Sequence, residues 1–206
     1  MSLWIDSMQT TGKKMKILYV DMDNVLVDFP SGIAKVPKEI QGQYVDRLDE
    51  VPGIFSLMEP MPKAIESYNF LCNHFDTYIL STAPWHNPSA WSDKLLWVQK
   101  YLGESAHKRL ILSHHKNLND GNYLIDDRTK NGADRFAGEH IHFGTERFPD
   151  WPAVVAYLNK KANWGWLSRS FIWWGMQVSN LRPLQWLNDY SFVSDSQMDN
   201  RHLVTR

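Results

Sequence analysis

The chain has 206 residues and a formal net charge of −1, with 22 basic against 23 acidic side chains. That length suits one domain with a modest insertion, and the balanced charge leaves no basic excess for a polynucleotide footprint. The single cysteine, Cys72, excludes an intramolecular disulfide framework and fits a reducing cytoplasm, and no stretch reaches the roughly 18–20 apolar residues that a membrane-spanning helix needs.

In chain order, residues 1–14 read as an extension outside the fold: they lack the order of charged, apolar and small residues of a secretory signal, and Met15 could itself serve as a start. "KILYVD" (16–21) is a continuous apolar run, the pattern of a parallel strand covered on both faces. Residues 30–60 break the rhythm and read as a small helical insertion, a lid above the sheet. "MPKAIESYNFLCNHF" (61–75) has helical spacing, with Pro62 in the first turn, where proline is tolerated. "DTYILSTA" (76–83) reads as a strand. "NPSAWSDKLLWVQKYLG" (87–103) reads as a helix, with Trp91, Leu95, Val98 and Leu102 on one face and Gly103 as its stop. "KRLILSHH" (108–115), "NYLIDDR" (122–128) and "HIHFG" (140–144) are three more strands, and "DWPAVVAYLNKKA" (150–162) is a closing helix. Strands alternating with helices predict an α/β fold, a Rossmann-like parallel sheet with helices on both faces. From Asn163 onward the apolar residues keep no sustained period, although five of the ten Trp residues fall there. This tail reads as an appended end outside the core; the alternative is a partner-binding or membrane-surface segment.

Polar groups gather at the strand ends. Asp21 and Asp23 end the first strand, Ser81 and Thr82 the second, Asp126 and Asp127 the strand in "YLIDD", and Lys116 follows "RLILSHH". In open parallel sheets ligands bind beyond the carboxyl ends of the strands, at a switch point in strand order. Carboxylates with water suit Mg²⁺, which commonly shares its shell with substrate phosphate oxygens. Thr82 and Lys116 could donate to the remaining phosphate oxygens. One carboxylate can act as a nucleophile and form an aspartyl-phosphate, and a second, two residues on, can protonate the leaving oxygen. Each signal alone has an ordinary reading. A DxD pair can be a solvated loop, Ser81 and Thr82 can satisfy backbone groups, Asp126-Asp127 can cap a helix near Thr129, and Lys116 can be an exposed lysine. Their occurrence together, each at a strand's C-terminal end, points to phosphoryl chemistry. Asp28 is expected to cap the helix that follows it.

These motifs resemble the haloacid dehalogenase superfamily and, within it, the 5'(3')-deoxyribonucleotidase family. "VDMDNVLVDF" is similar to the family's first motif, "STAP" to its second, and "SHHKNLNDGNYLIDDR" to the third and fourth together; the resemblance covers about residues 15–160. It implies a catalytic domain over 15–162 with Asp21 as nucleophile and Asp23 as general acid and base. It also implies Mg²⁺ held by Asp21, the backbone carbonyl of Asp23 and Asp127, with Asp126 supporting the site; exchanged roles for Asp126 and Asp127 stay open. Thr82, the backbone N–H of Ala83 and Lys116 would grip phosphate. Phe29 would line a base pocket, with Trp85 and His86 near the sugar. The implied partner is a small molecule, a deoxynucleoside monophosphate, and the implied location is the cytoplasm. Two departures stand out. Asn24 replaces a glycine common among relatives, which asparagine's tolerance of left-handed backbone allows. The insertion after Phe29 is shorter than in animal relatives and lacks their substrate-specifying aromatic stretch. The same chemistry on another small phosphate ester, such as a sugar phosphate, is the enzymatic alternative; a non-catalytic phosphate-binding module is the other.

A chain trimmed to residues 15–162 is expected to keep both fold and activity, because every element and site residue above lies within it. Thermal midpoint and kcat/KM, compared with the full chain, check this; a large loss in either would make the tail part of the working structure.

Overall fold

A computed structural model describes residues 14–162. The expectations about the N-terminal extension and the Trp-rich tail fall on residues 1–13 and 163–206, outside the described residues. The first apolar run forms β1 (Ile17–Val20). A tight loop leads to β2 (Val27–Asp28), α1 (Phe29–Lys35) and α2 (Lys38–Gln43), then two 3₁₀ turns, Leu48–Glu50 and Ile54–Leu57. The chain returns through β3 (Glu59–Pro60), which pairs antiparallel with β2 and closes the base of this insertion. There follow α3 (Ala64–Cys72), β4 (Asp76–Ser81), α4 (Ser89–Tyr101) and β5 (Leu110–Leu112). Then come β6 (Tyr123–Asp126), β7 (Glu139–His142) and α5 (Trp151–Lys161).

Five strands form one parallel sheet in the order β5-β4-β1-β6-β7. Both faces of the central strands are apolar, which explains why their sequences read as unbroken hydrophobic runs. On one face Leu18, Val20, Ile79 and Ile125 pack with Tyr68 and Leu71 of α3, Trp97 and Val98 of α4, and Trp151 and Leu158 of α5. On the other, Tyr19, Leu80 and Leu124 pack under Ala133 and Phe136 around a 3₁₀ turn. The chain builds outward from β1 to β4 and β5, then crosses back to β6 and β7. The order therefore reverses at β1, where an open sheet forms its crevice. Asp150 caps α5 by accepting from the Ala153 N–H at 3.0 Å, and Trp151 Nε1 donates to the Val25 carbonyl at 2.8 Å, tying this helix to the loop after β1.

Three local expectations are corrected. Helix α3 begins at Ala64, not at Pro62, because Lys63 has φ of 66° and breaks the helical path just before it. Asp28 occupies the N-cap position of α1, yet its side chain makes no capping bond. Pro30 already removes one orphan N–H at that end, and Ser31 Oγ donates to the Asp28 carbonyl at 2.5 Å. Helix α4 is rotated from the expected face in its N-terminal half. Of the expected face, Val98 and Leu102 are buried but Trp91 and Leu95 are each 45% exposed, and Ala90, Lys94 and Trp97 are buried in their place. Trp97 Nε1 donates to the Met58 carbonyl at 3.0 Å, so the insertion sets the helix's rotation.

Candidate active site

The loop after β1 is built to present carboxylates. The Asp21 N–H still bonds the Ile125 carbonyl at 2.9 Å, and then the N–H groups of Val25, Leu26 and Val27 all converge on the Met22 carbonyl. Asn24 takes φ of 55°, the left-handed turn expected of it. Asp21 is almost fully buried at the sheet's carboxyl edge, as is Asp126 at the end of β6. Asp21, Asp126 and Asp127 each offer an oxygen within 4.8 Å of the others.

These carboxylates are not equally engaged. Lys116, itself buried, places Nζ 2.5 Å from Asp126 Oδ2 and 3.0 Å from Asp21 Oδ1. Asp126 Oδ1 accepts the Arg128 N–H at 2.9 Å, so both Asp126 oxygens are occupied. Asp127 Oδ2 accepts from Asn24 Nδ2 at 3.1 Å. Asp127 Oδ1 and Asp21 Oδ2 have no hydrogen-bond donor; Asp21 Oδ1 faces the Lys116 ammonium at 3.0 Å, and Arg128 Nε lies 3.5 Å from Asp127 Oδ1. Asp23 accepts a hydrogen bond from Lys94 Nζ at 2.6 Å; that ammonium is fully buried, also donates to Ser81 Oγ at 3.1 Å, and sits 4.4 Å from the centre of the Phe55 ring.

Four carboxylates thus face the cations of Lys94, Lys116 and Arg128. Burial pushes the Asp23 carboxyl above its usual range despite Lys94. Burial and the Asp21 charge raise Asp126 to about 6 against the pull of Lys116. Burial raises Asp127 as well, with Arg128 opposing. For Lys116, burial works against the charge, but Asp21 and Asp126 outweigh it and hold the ammonium above its ordinary value. Orphaned, buried carboxylate oxygens at a site short of positive charge fit a hard cation with oxygen ligands.

A cleft of about 620 Å³ opens beside this cluster; its walls include Asp23, Thr82, Phe29, Trp85, His114 and Arg128. The Thr82 hydroxyl donates to the Ser113 carbonyl at 2.8 Å, and Ala83 is fully buried behind it. Trp85 is a wall residue, but His86 is exposed and lies outside the lining. A second groove of about 600 Å³ lies between α4 and β5, is walled by Trp91, Leu95 and Leu110, and includes none of these carboxylates. Sequence reasoning missed Lys94 and Arg128. A signal for Lys94 existed: it stands four residues after Ala90 and three before Trp97, on the stripe that a helix buries.

A family model described as "5' nucleotidase, deoxy (Pyrimidine), cytosolic type C protein" matches residues 33–148. A protein of Vibrio phage KVP40 carrying the name 5'(3')-deoxyribonucleotidase is 63% identical over 145 residues, covering 70% of this chain and 85% of the relative. One of the same name from Staphylococcus epidermidis is 29% identical over 171 residues, covering 68% and 94%. Another, from Bordetella bronchiseptica, is 38% identical over 92 residues, covering 44% and 50%. With the parallel sheet and the carboxylate cluster at its switch point, these matches show that the chain belongs to the 5'(3')-deoxyribonucleotidase family, hydrolytic phosphomonoesterases of the haloacid dehalogenase superfamily.

Proposed function

We propose that this enzyme removes phosphate from deoxynucleoside monophosphates in a Mg²⁺-dependent reaction that passes through an aspartyl-phosphate on Asp21. The observation that carries the reading is the cluster of Asp21, Asp126 and Asp127, in which the buried oxygens Asp21 Oδ2 and Asp127 Oδ1 have no hydrogen-bond donor. Anionic oxygens left this way are costly unless a cation joins them. In this reading Asp21, the Asp23 backbone carbonyl and Asp127 hold Mg²⁺, which when bound would neutralise charge on the transferring phosphoryl group. Asp126 supports from behind, its oxygens committed to Lys116 and the Arg128 N–H.

Asp21 attacks phosphorus, the bond from phosphorus to the nucleoside oxygen breaks, and its electron pair leaves with that oxygen. Asp23 supplies the proton, which suits a carboxyl that burial has pushed upward. Asp23 then takes a proton from water; the resulting hydroxide attacks phosphorus, releases inorganic phosphate and restores Asp21. Thr82 and the Ala83 N–H hold phosphate oxygens, with Thr82 exchanging the Ser113 carbonyl for one of them, and Lys116 contributes charge beside the nucleophile. Phe29 and Trp85 offer flat aromatic surfaces in the cleft wall, which favours a nucleobase over a sugar phosphate. A cytoplasmic location belongs to this reading and is in line with a lone free cysteine.

A screen of nucleotides and sugar phosphates, with and without EDTA, tests it. Deoxynucleoside monophosphates are expected to turn over fastest and only with a divalent cation; preference for sugar phosphates, or metal-independent turnover, would sink the proposal. Asp127→Ala is expected to weaken Mg²⁺ binding by roughly 100-fold, with activity partly restored by excess Mg²⁺. Unchanged metal affinity with lost activity would transfer the ligand role to Asp126.

A further inference from the structure

The edge strand β7 carries two histidines that the mechanism above leaves unused. His140 and His142 are two residues apart, hence on one side of the strand, and their rings stack at 5.2 Å with 20° between planes. His142 Nε2 lies 2.9 Å from the Asp127 carbonyl oxygen, and His140 Nε2 lies 3.3 Å from that of Asp126. A carbonyl only accepts, so both rings donate from Nε2, which sets the tautomer of each neutral imidazole. Burial holds His140 below its usual value, in keeping with a neutral ring.

The two carbonyls differ in what they lack. Asp126 already accepts the Phe143 N–H at 2.9 Å, and the pairing of β6 with β7 stops at Asp126 opposite His142. Asp127 lies one residue beyond, where no backbone N–H among the described residues reaches its carbonyl. The His142 ring takes that place. Asp127 is then held at both ends, its carbonyl by His142 and its Oδ2 by Asn24 Nδ2 at 3.1 Å, leaving Oδ1 without a donor beside Asp21.

We propose that His142 is a positioning residue for the cation site, fixing the Asp127 peptide through its Nε2–H while the stacked His140 ring restricts its orientation. This rests on the proposed function, since it takes Asp127 as a ligand of a divalent cation. A small hard cation demands near-ideal ligand geometry, so loss of the brace shows first as weaker cation binding.

The test is calorimetric titration of Mg²⁺ into the full chain and its variants. His142→Leu keeps the side-chain bulk and removes the donor; its cation affinity is expected to fall by about 10–100-fold, with the Mg²⁺ needed for half-maximal activity rising in step and KM for the nucleotide nearly unchanged. His142→Gln, whose amide N–H reaches close to the Nε2 position, is expected to recover affinity to within a few-fold. Ile141→Val, which only loosens the core side of β7, is expected to lower the thermal midpoint and leave cation affinity alone. Parental affinity in His142→Leu, or a glutamine variant no better than leucine, overturns the proposal. Should the leucine variant fail to fold, His142→Gln against His142→Asn carries the same comparison, because the asparagine amide is too short, and equal affinity overturns it. If Asp127→Ala leaves Mg²⁺ binding intact, Asp127 is not a ligand and the brace is refuted along with that assignment; binding lost in Asp127→Ala but intact in His142→Leu refutes the brace alone.

Discussion

Asp21→Asn is expected to lower kcat by about four orders of magnitude or more, the scale of loss when a covalent nucleophile is removed, while the protein stays folded. An amide keeps the shape of the carboxylate but cannot form the acyl-phosphate at a useful rate. Stability is expected to change little. The substitution removes one charge from a crowded set of buried carboxylates, a gain, and takes from Lys116 one of its two anionic neighbours, a loss. Asp126 remains 2.5 Å from that ammonium and keeps it paired. Turnover of a deoxynucleoside monophosphate and the thermal midpoint, measured on the same preparation, decide the matter. Substantial activity in a folded variant would remove Asp21 from the mechanism, and so would phosphate trapped on any other residue in the parent enzyme.

Lys94→Met is expected to damage both stability and turnover. The Lys94 ammonium is fully buried, 2.6 Å from Asp23 and over the Phe55 ring of the insertion. Methionine fills similar volume but leaves Asp23 as a buried charge without its partner, a change that typically costs about 3–5 kcal/mol. For a domain of this size that is roughly 10 °C or more in thermal midpoint. Asp23→Asn added to Lys94→Met is expected to recover most of the stability and none of the activity, because the second substitution removes the uncompensated charge and the general acid together. The double-mutant cycle measures this coupling directly. A single variant as stable as the parent, or a double variant no more stable than the single, would show that the pair is not a buried ion pair in solution.

The elements themselves were legible because their causes are local. A parallel strand covered on both faces must be apolar at every position, and "KILYVD" and "YLIDD" show that without help from the rest of the chain. Gly103, with φ of 52°, ends α4 where the sequence places a stop, and Asp150 caps α5. The carboxylates of Asp21, Asp23, Asp126 and Asp127 could be read for the same reason: Asp21 and Asp126 stand directly after apolar runs, with Asp23 and Asp127 two and one residues further on, so a place at the sheet's carboxyl edge follows from the strand. What only tertiary structure decided involves partners far apart in sequence. Two stripes of α4, one residue out of step, both satisfy helical spacing; the insertion and Asp23, 71 residues before Lys94, selected the one that carries Lys94 inward. Which carboxylate oxygens lack donors depends on Lys116, Asn24 and the Arg128 backbone meeting in space. The hydrogen bond from His142 to the Asp127 carbonyl depends on the register of β7 against β6. Periodicity along a chain says which residues an element can bury, but the rotation of a helix and the pairing of a charge are set by the free energy of the assembled contacts, which no single segment contains.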